Sequence, residues 1–412
     1  MQVELVTIGT ELLLGFTTDT NSAFAGQRLA EVGVRVVRRT SVGDDPGAIA
    51  AAVRDGLART GFVITTGGLG PTRDDITKTA VAALFDAPIE FQAALWDDLV
   101  AKFARFGRVP SAANRCQAEV PRGAVVLTNP RGTAPGLWLS GPPGEVVLLP
   151  GVPAEMRGLI VEAVVPRLAA RGRGAAIASL VVRTTGIPES TLGDRLAELE
   201  PMLAPITMAY LPGLEGVDLR LTAWDVAADG AAALLRQAAE ILRAELGDLA
   251  YGTGDDDLAA HLLAELARRG DRVAVAESCT GGLVGERITA IPGSSAGFVG
   301  GVVAYANEAK YGLLGVDPGI LEAHGAVSEE VAAAMAVGAQ RAFGVAAAVS
   351  VTGIAGPDGG TPEKPVGTVC LGFAVGDQVD TRRIGLPGGR ADVRARAAQA
   401  ALHGLWRRLR AG

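Results

Sequence analysis

Three short runs in the last third of the chain hold residue types that can do covalent chemistry together: Glu277-Ser278-Cys279-Thr280-Gly281-Gly282, Gly293-Ser294-Ser295 and Tyr305-Ala306-Asn307-Glu308-Ala309-Lys310. A serine hydroxyl is a poor nucleophile at neutral pH and needs a base. The histidines, His261, His324 and His403, stand in none of these runs, which turns attention to lysine. A lysine made neutral by burial or by neighbouring cations can serve as that base. Of the 38 Lys+Arg residues only Lys78, Lys102, Lys310 and Lys364 are lysine. Arginine supplies positive charge elsewhere, so a lysine kept in a polar turn cluster points to a need for deprotonation. Cys279 is the rival nucleophile, since a helix N-terminus alone can lower a thiol pKa, and a structural thiol is its other reading.

A second set lies near the N-terminus: Gly9-Thr10-Glu11, Gly43-Asp44-Asp45 and the run Thr66-Gly67-Gly68-Leu69-Gly70-Pro71-Thr72-Arg73-Asp74-Asp75-Ile76-Thr77. A glycine-rich turn at a helix start lets backbone N–H groups approach an anion. Asp74 and Asp75 would repel a bare phosphate, and make sense if a divalent metal ion bridges them. An acidic N-cap on an ordinary turn is the alternative. Hydroxyls and amides at the start of the helix after Gly282 are likewise open to a phosphate or an oxyanion. The loop Thr352-Gly353-Ile354-Ala355-Gly356-Pro357-Asp358-Gly359-Gly360 repeats the glycine-rich solution locally, and Pro387-Gly388-Gly389-Arg390 sets an arginine where a substrate phosphate would bind.

These loops need elements to position them. Apolar runs at 3–8, 34–38 and 62–66 alternate with helical patterns over 21–32 and from Pro46 to about 59. That order predicts a parallel sheet covered on both faces, with ligands beyond the carboxyl ends of its strands. Runs at 137–139 and 146–149 add strands, and the Arg/Gly/Ala-rich stretch 167–174 reads as a linker. A βαββα order follows, with strands at 180–185 and 217–224, a helix over 190–199 and a long one over 229–246. It carries no glycine cradle or carboxylate cluster and reads as a small α+β spacer or dimerisation domain. Tyr251-Gly252-Thr253-Gly254 marks the next boundary, and Asp255-Asp256-Asp257 complements the helix it opens. Strands at 272–276, 298–304, 346–351 and 367–373 then form the last α/β domain. The domain limits are 1–172, 173–252 and 253–412.

The 412 residues are 49% hydrophobic, enough for two or three cores. A formal net charge of −7 argues against a broad nucleic-acid surface. Three scattered cysteines, Cys116, Cys279 and Cys370, fit a reducing cytoplasm. No basic leader precedes the first strand. The uncharged run 288–307 is broken by Pro292, Gly293, Ser294 and Ser295, and reads as loop plus buried strand, not as a membrane helix. The expectation is a cytoplasmic protein with no membrane or nucleic-acid partner.

The motifs Ala276-Glu277-Ser278-Cys279-Thr280-Gly281-Gly282, Gly293-Ser294-Ser295, Tyr305 to Lys310, His324-Gly325-Ala326-Val327-Ser328 and Thr352 to Gly360 resemble the C-terminal domain of the CinA family (competence/damage-inducible protein A). Over roughly residues 255–410 the resemblance implies an amidohydrolase, working without a cofactor, that converts nicotinamide mononucleotide (NMN) to nicotinic acid mononucleotide and ammonia. It implies Ser295 as nucleophile and Lys310 as its base, with Ser278 and Tyr305 in the catalytic set. Thr352, Arg390, Thr280, Gly281 and Gly353 would bind substrate, Arg390 at its phosphate. The N-terminal motifs, with the loop around Asn129, resemble the molybdopterin-binding fold, and more closely the N-terminal domain of the same family. This three-layer α/β domain implies a metal-dependent ADP-ribose pyrophosphatase, with Gly67, Gly68, Gly70, Thr72 and Asn129 at the nucleotide and Glu11, Asp44, Asp74 and Asp75 at a divalent ion. The whole is expected to be a homodimeric enzyme of pyridine-nucleotide salvage. The other reading is a pterin- or nucleotide-binding scaffold in competence or DNA-damage responses, with no catalysis in the first domain.

Overall fold

The computed structural model describes residues 1–171 and 175–411. They fall into two compact units, residues 1–178 with 223–233, and residues 179–222 with 234–412.

The strands of the first unit are β1 (Gln2–Ile8), β2 (Arg35–Val42), β3 (Phe62–Thr66), β4 (Ile89–Phe91), β5 (Glu119–Pro121), β6 (Val125–Leu127), β7 (Gly136–Gly141) and β8 (Gly144–Leu149). Six of them form one sheet in the order β2-β1-β3-β8-β7-β6, while β4 and β5 make a separate ribbon. The first four in that order are parallel, because helices Thr20–Ala30 and Pro46–Thr60 carry the chain back between strands. Side chains alternate between two cores: Val3, Leu5, Phe62, Ile64, Val147 and Leu149 feed one, and Val6, Ile8, Val63, Val146 and Leu148 the other. Burial on both faces is why these strands read as unbroken apolar runs. Glu4, 1% exposed on the second face, is tolerated because Arg59 donates to it from Nε at 2.7 Å and from Nη2 at 2.9 Å.

The middle of the chain forms a four-stranded sheet, order β10-β11-β9-β12, made of β9 (Ala175–Thr184), β10 (Thr207–Pro212), β11 (Val217–Ala227) and β12 (Ala250–Thr253). The predicted βαββα order therefore gains a closing strand, and β12 pairs antiparallel with β9 through Ala250 with Thr184 and Gly252 with Arg183. The stretch 167–174, read as a linker, begins inside helix Val165–Ala169, and its residues 172–174 lie outside the described residues. Tyr251 of β12 is buried among Leu258, Leu262 and Trp406 of the last domain, so a strand of the middle sheet contributes to the next core.

That last domain holds β13 (Val273–Glu277), β14 (Phe298–Val303), β15 (Ala347–Gly353), β16 (Thr368–Val375) and β17 (Gln378–Gly385), in the order β14-β13-β15-β16-β17. The first three in that order are parallel. Val273, Val275, Val349, Leu371 and Phe373 pack on one face with Leu262 and Leu405, while Ala274, Ala276, Ala348 and Ala374 meet Met335 and Ala339 on the other. Strand β14, expected to be buried, is an edge strand whose residues alternate between half-buried and exposed. No helix among the described residues is long and apolar enough to cross a membrane.

Candidate functional site

The order β14-β13-β15 sets the ends of three parallel strands side by side, where sheets of this kind bind ligands. Ser278 follows β13, Ala304 and Tyr305 follow β14, and Thr352 lies near the end of β15. Lys310, on helix Asn307–Leu314, reaches back into this end and is 1% exposed. Its Nζ donates to the carbonyls of Ala304 at 2.9 Å and Tyr305 at 3.1 Å, and to Ser278 Oγ at 3.2 Å. Burial pushes the pKa of this ammonium down. A neutral amine has two N–H groups and one lone pair. With the two carbonyls taking the N–H groups, the lone pair faces Ser278 Oγ, whose hydroxyl can then donate to it. This is a base–hydroxyl pair. The hydroxyl expected at that position was Ser295. It stands exposed on the short turn Ser294–Ala296, and the polar neighbours of Lys310 Nζ are Ala304, Tyr305 and Ser278 instead.

The other expected residues differ in how open they are. Tyr305 and Arg390 meet at the surface, where Arg390 donates from Nη2 to the tyrosine hydroxyl at 2.9 Å and from Nη1 to the Gly356 carbonyl at 2.8 Å. Arg390 is also the first residue of the long helix Arg390–Ala411, whose dipole favours an anion there. Thr352 donates its hydroxyl to the Ala326 carbonyl at 2.7 Å, leaving only lone pairs for a ligand. Gly353 is a packing position: a Cβ there would lie 2.8 Å from the Thr368 carbonyl oxygen and 3.1 Å from Cys279 Sγ. Thr280 is fully buried, and its carbonyl accepts from Arg394 at 2.8 Å, while Gly281 is exposed.

The helix start after Gly282 is not the open anion site expected of it. Glu277, 1% exposed, accepts the N–H groups of Gly282 and Val284 at 3.0 Å and of Gly285 at 2.9 Å. The protein's own carboxylate thus satisfies donors that would otherwise be orphaned. Cys279 is 6% exposed, and burial pushes its thiol up to about 12, which makes it a structural thiol.

In the first unit a pocket of about 390 Å³ is lined by Gly67, Gly68 and Gly70 together with Glu11, Asp44, Asp74 and Asp75. Gly67 and Gly68 adopt φ of 112° and 68°. A Cβ on Gly68 would lie 2.1 Å from Thr77 Oγ1, so this turn requires glycine. Thr72 stands back from the pocket: its N–H donates to Asp75 Oδ2 at 2.8 Å and its hydroxyl donates to the same oxygen. Asp44 accepts from the N–H of Thr10 at 2.9 Å and from its hydroxyl at 2.8 Å. Among the described residues no three histidine, cysteine or carboxylate side chains are grouped so as to hold a metal ion.

Asn129 acts behind this pocket, where its Nδ2 donates to Glu155 Oε2 at 2.6 Å and to the Ala134 carbonyl at 2.8 Å. Glu155 lines the pocket, and burial pushes its carboxyl up. It was not among the residues expected at this site. The available signal was its place in the first turn of helix Pro153–Leu159, just beyond the carboxyl end of β8.

A glycine-turned α/β domain, a small α+β domain and an α/β domain with a buried lysine on a serine define a three-domain α/β protein. Residues 4–170 match the family described as "Probable molybdopterin binding domain", residues 179–252 the "Damage-inducible protein CinA KH domain", and residues 255–409 the "CinA C-terminal domain". A CinA-like protein of Gemmatimonas aurantiaca is 53% identical over 411 residues, covering 99% of this chain and 96% of that one. A CinA-like protein of Parasynechococcus marenigrum is 45% identical over 411 residues, covering 99% and 98%. A solved CinA superfamily protein from Klebsiella pneumoniae is 34% identical, covers 38% of this chain and 97% of its own, and superposes with a TM-score of 0.37. The chain belongs to the CinA family.

The KH-like class of the middle domain was not legible as such. KH domains clamp nucleic-acid backbone with a Gly-x-x-Gly loop. The Gly-x-x-Gly of this domain, Gly213-Leu214-Glu215-Gly216, is the turn of the β10–β11 hairpin. Its Glu215 is paired with Arg183 at 2.7 Å and Arg287 at 3.4 Å.

Proposed function

We propose that the last domain hydrolyses the carboxamide of NMN to nicotinic acid mononucleotide and ammonia, in the cytoplasm and without a cofactor. The observation that carries this reading is Lys310, a buried amine biased towards its neutral form and aimed at Ser278 Oγ. In this mechanism Ser295 Oγ attacks the amide carbon, and its proton passes by way of Ser278 Oγ to Lys310 Nζ. The C–N bond breaks as that proton returns to the leaving nitrogen. Ammonia departs and an acyl ester remains on the serine, which water hydrolyses with the same base. Arg390, exposed beside the Tyr305 hydroxyl, suits the 5′-phosphate of the substrate.

A second reading is favoured by the 3.2 Å contact itself: Ser278 is the nucleophile and Ser295 only borders the site. Ammonia release from NMN by the parent, Ser295→Ala and Ser278→Ala separates the two. Silence in Ser295→Ala with slowed release in Ser278→Ala supports the relay, and the reverse pattern supports direct attack by Ser278. No ammonia from the parent overturns the amidase reading altogether.

We propose further that the N-terminal pocket binds the pyrophosphate of ADP-ribose at its glycine turn and cleaves it. Glu11, Asp44, Asp74 and Asp75 line the same pocket and would hold a divalent ion, which supplies charge neutralisation for the phosphates. Release of AMP from ADP-ribose with magnesium or manganese, lost on adding chelator, is the expected result. Binding without cleavage under any divalent ion would make the domain a nucleotide-binding scaffold. A homodimer is the assembly we expect, and sedimentation of the full chain tests it.

A further inference from the structure

The pocket of the first unit does not end at its glycine turn. A second hollow of about 250 Å³ shares Gln117 and Thr133 with it. A third, of about 290 Å³, shares Lys102 and Thr133 with the second. Thr133 therefore borders all three, and its hydroxyl accepts from Gln117 Nε2 at 3.0 Å. The three hollows adjoin one another around Thr133.

The inner and outer hollows differ in chemistry. Carboxylates and glycines line the inner end, whereas Phe103, Arg105, Phe106 and Arg108 line the outer one. Two other cations there are already neutralised, Lys102 by Asp98 at 2.8 Å and Arg131 by Glu162 at 2.5 Å. Arg105 and Arg108 have no carboxylate within ion-pair distance among the described residues, and Phe106 is 80% exposed between them in sequence. An open aromatic ring beside two uncompensated guanidinium groups suits a ligand portion that is aromatic and rich in hydrogen-bond acceptors. The ring offers a face to a base, and each guanidinium offers a stacking plane and paired donors.

We propose that the outer chamber binds the nucleoside end of a dinucleotide-type pyrophosphate whose phosphates lie against the Gly67–Gly70 turn. The proposal rests on the nucleotide reading of the inner pocket and adds to it where the base sits. Specificity for the base then belongs to Phe106 and Phe103, with the guanidinium groups of Arg105 and Arg108 stacking on it or donating to its ring acceptors, while the pyrophosphate and the second sugar keep to the inner end.

Calorimetric titration of the full chain with AMP, ribose 5-phosphate and ADP-ribose tests this, using the parent, Phe106→Ala and the double variant Arg105→Gln/Arg108→Gln. All three positions are exposed, so the variants should melt like the parent. Loss of one stacked base weakens AMP and ADP-ribose binding about tenfold or more in Phe106→Ala. Ribose 5-phosphate, which has no base, should bind that variant as it binds the parent. The arginine pair should weaken AMP and ADP-ribose as well. Equal binding of AMP and ADP-ribose by parent and both variants would overturn the outer chamber and leave the inner pocket standing. Binding of none of the three probes by the parent would overturn both together.

Discussion

In the proposed amidase, Lys310 acts through a single proton. Its ordinary pKa of 10.5 is lowered in the fold by burial. Between the lowered value and the unfolded one, the unfolded chain binds more protons than the folded chain. Stability therefore rises with pH across that interval and is lost as pH falls through it. Replacing the amine by a thioether of similar length removes the titration. Lys310→Met is expected to abolish ammonia release from NMN, to keep the fold, and to flatten the rise in melting temperature as pH climbs towards the ordinary lysine value. The parent's amidase rate should climb over the same range, since only the neutral amine accepts a proton. Melting curves and initial rates on a common pH series check both halves. Identical pH slopes for parent and variant would mean that Lys310 is not carrying the linkage.

The turn from β13 into helix Leu283–Thr289 shows how an element prepares that residue's surroundings. A helix of seven residues has as many orphaned N–H groups at its start as a long one, and Glu277 accepts three N–H groups there. Glu277→Gln removes the charge and turns an NH₂ group towards donors. A loss of roughly 3 kcal/mol is expected from charge-assisted bonds of this kind, seen as a lower denaturant midpoint. Ammonia release should fall with it, because Ser278 is the next residue. An unchanged midpoint would show the carboxylate to be dispensable. The same turn marks the limit of what was legible beforehand. Glycines at Gly67 and Gly68 announced a backbone path that other residues cannot follow, and the scarcity of lysine singled out Lys310. Apolar runs gave the parallel strands because both faces of those sheets are buried. That Glu277 folds back on amides five to eight residues ahead was not legible, since an empty anion site and an occupied one share the same residue types. Nor was the meeting of Lys310 with Ser278, which depends on β14 lying beside β13. Glu155 and the closing strand β12 were missed because each gains its meaning from a neighbour distant in sequence.

Across the second unit, the middle and last domains share their structure at β12. Tyr251 is 2% exposed in the core of the last domain, although its strand belongs to the middle sheet. Its ring meets His261 edge-on at 6.2 Å between centroids, and the guanidinium of Arg183 lies 5.7 Å from its centroid. Burial pushes its hydroxyl up to about 12, so the group stays neutral at working pH. Glu215 then links Arg183 to Arg287, which also pairs with Asp257 at 3.0 Å and lies on the helix that follows the Ser278 turn. A chain joined in this way should unfold the two domains together. Tyr251→Ala is expected to lower stability by about 3–5 kcal/mol, the cost of a large aromatic removed from a core, within a single cooperative transition. Residues 253–412 alone, lacking Tyr251, should melt below residues 179–412 and lose amidase activity at a lower temperature. Equal melting of the two fragments would mean that the middle domain leaves the last one unsupported, and that Tyr251 merely fills a gap its neighbours can close.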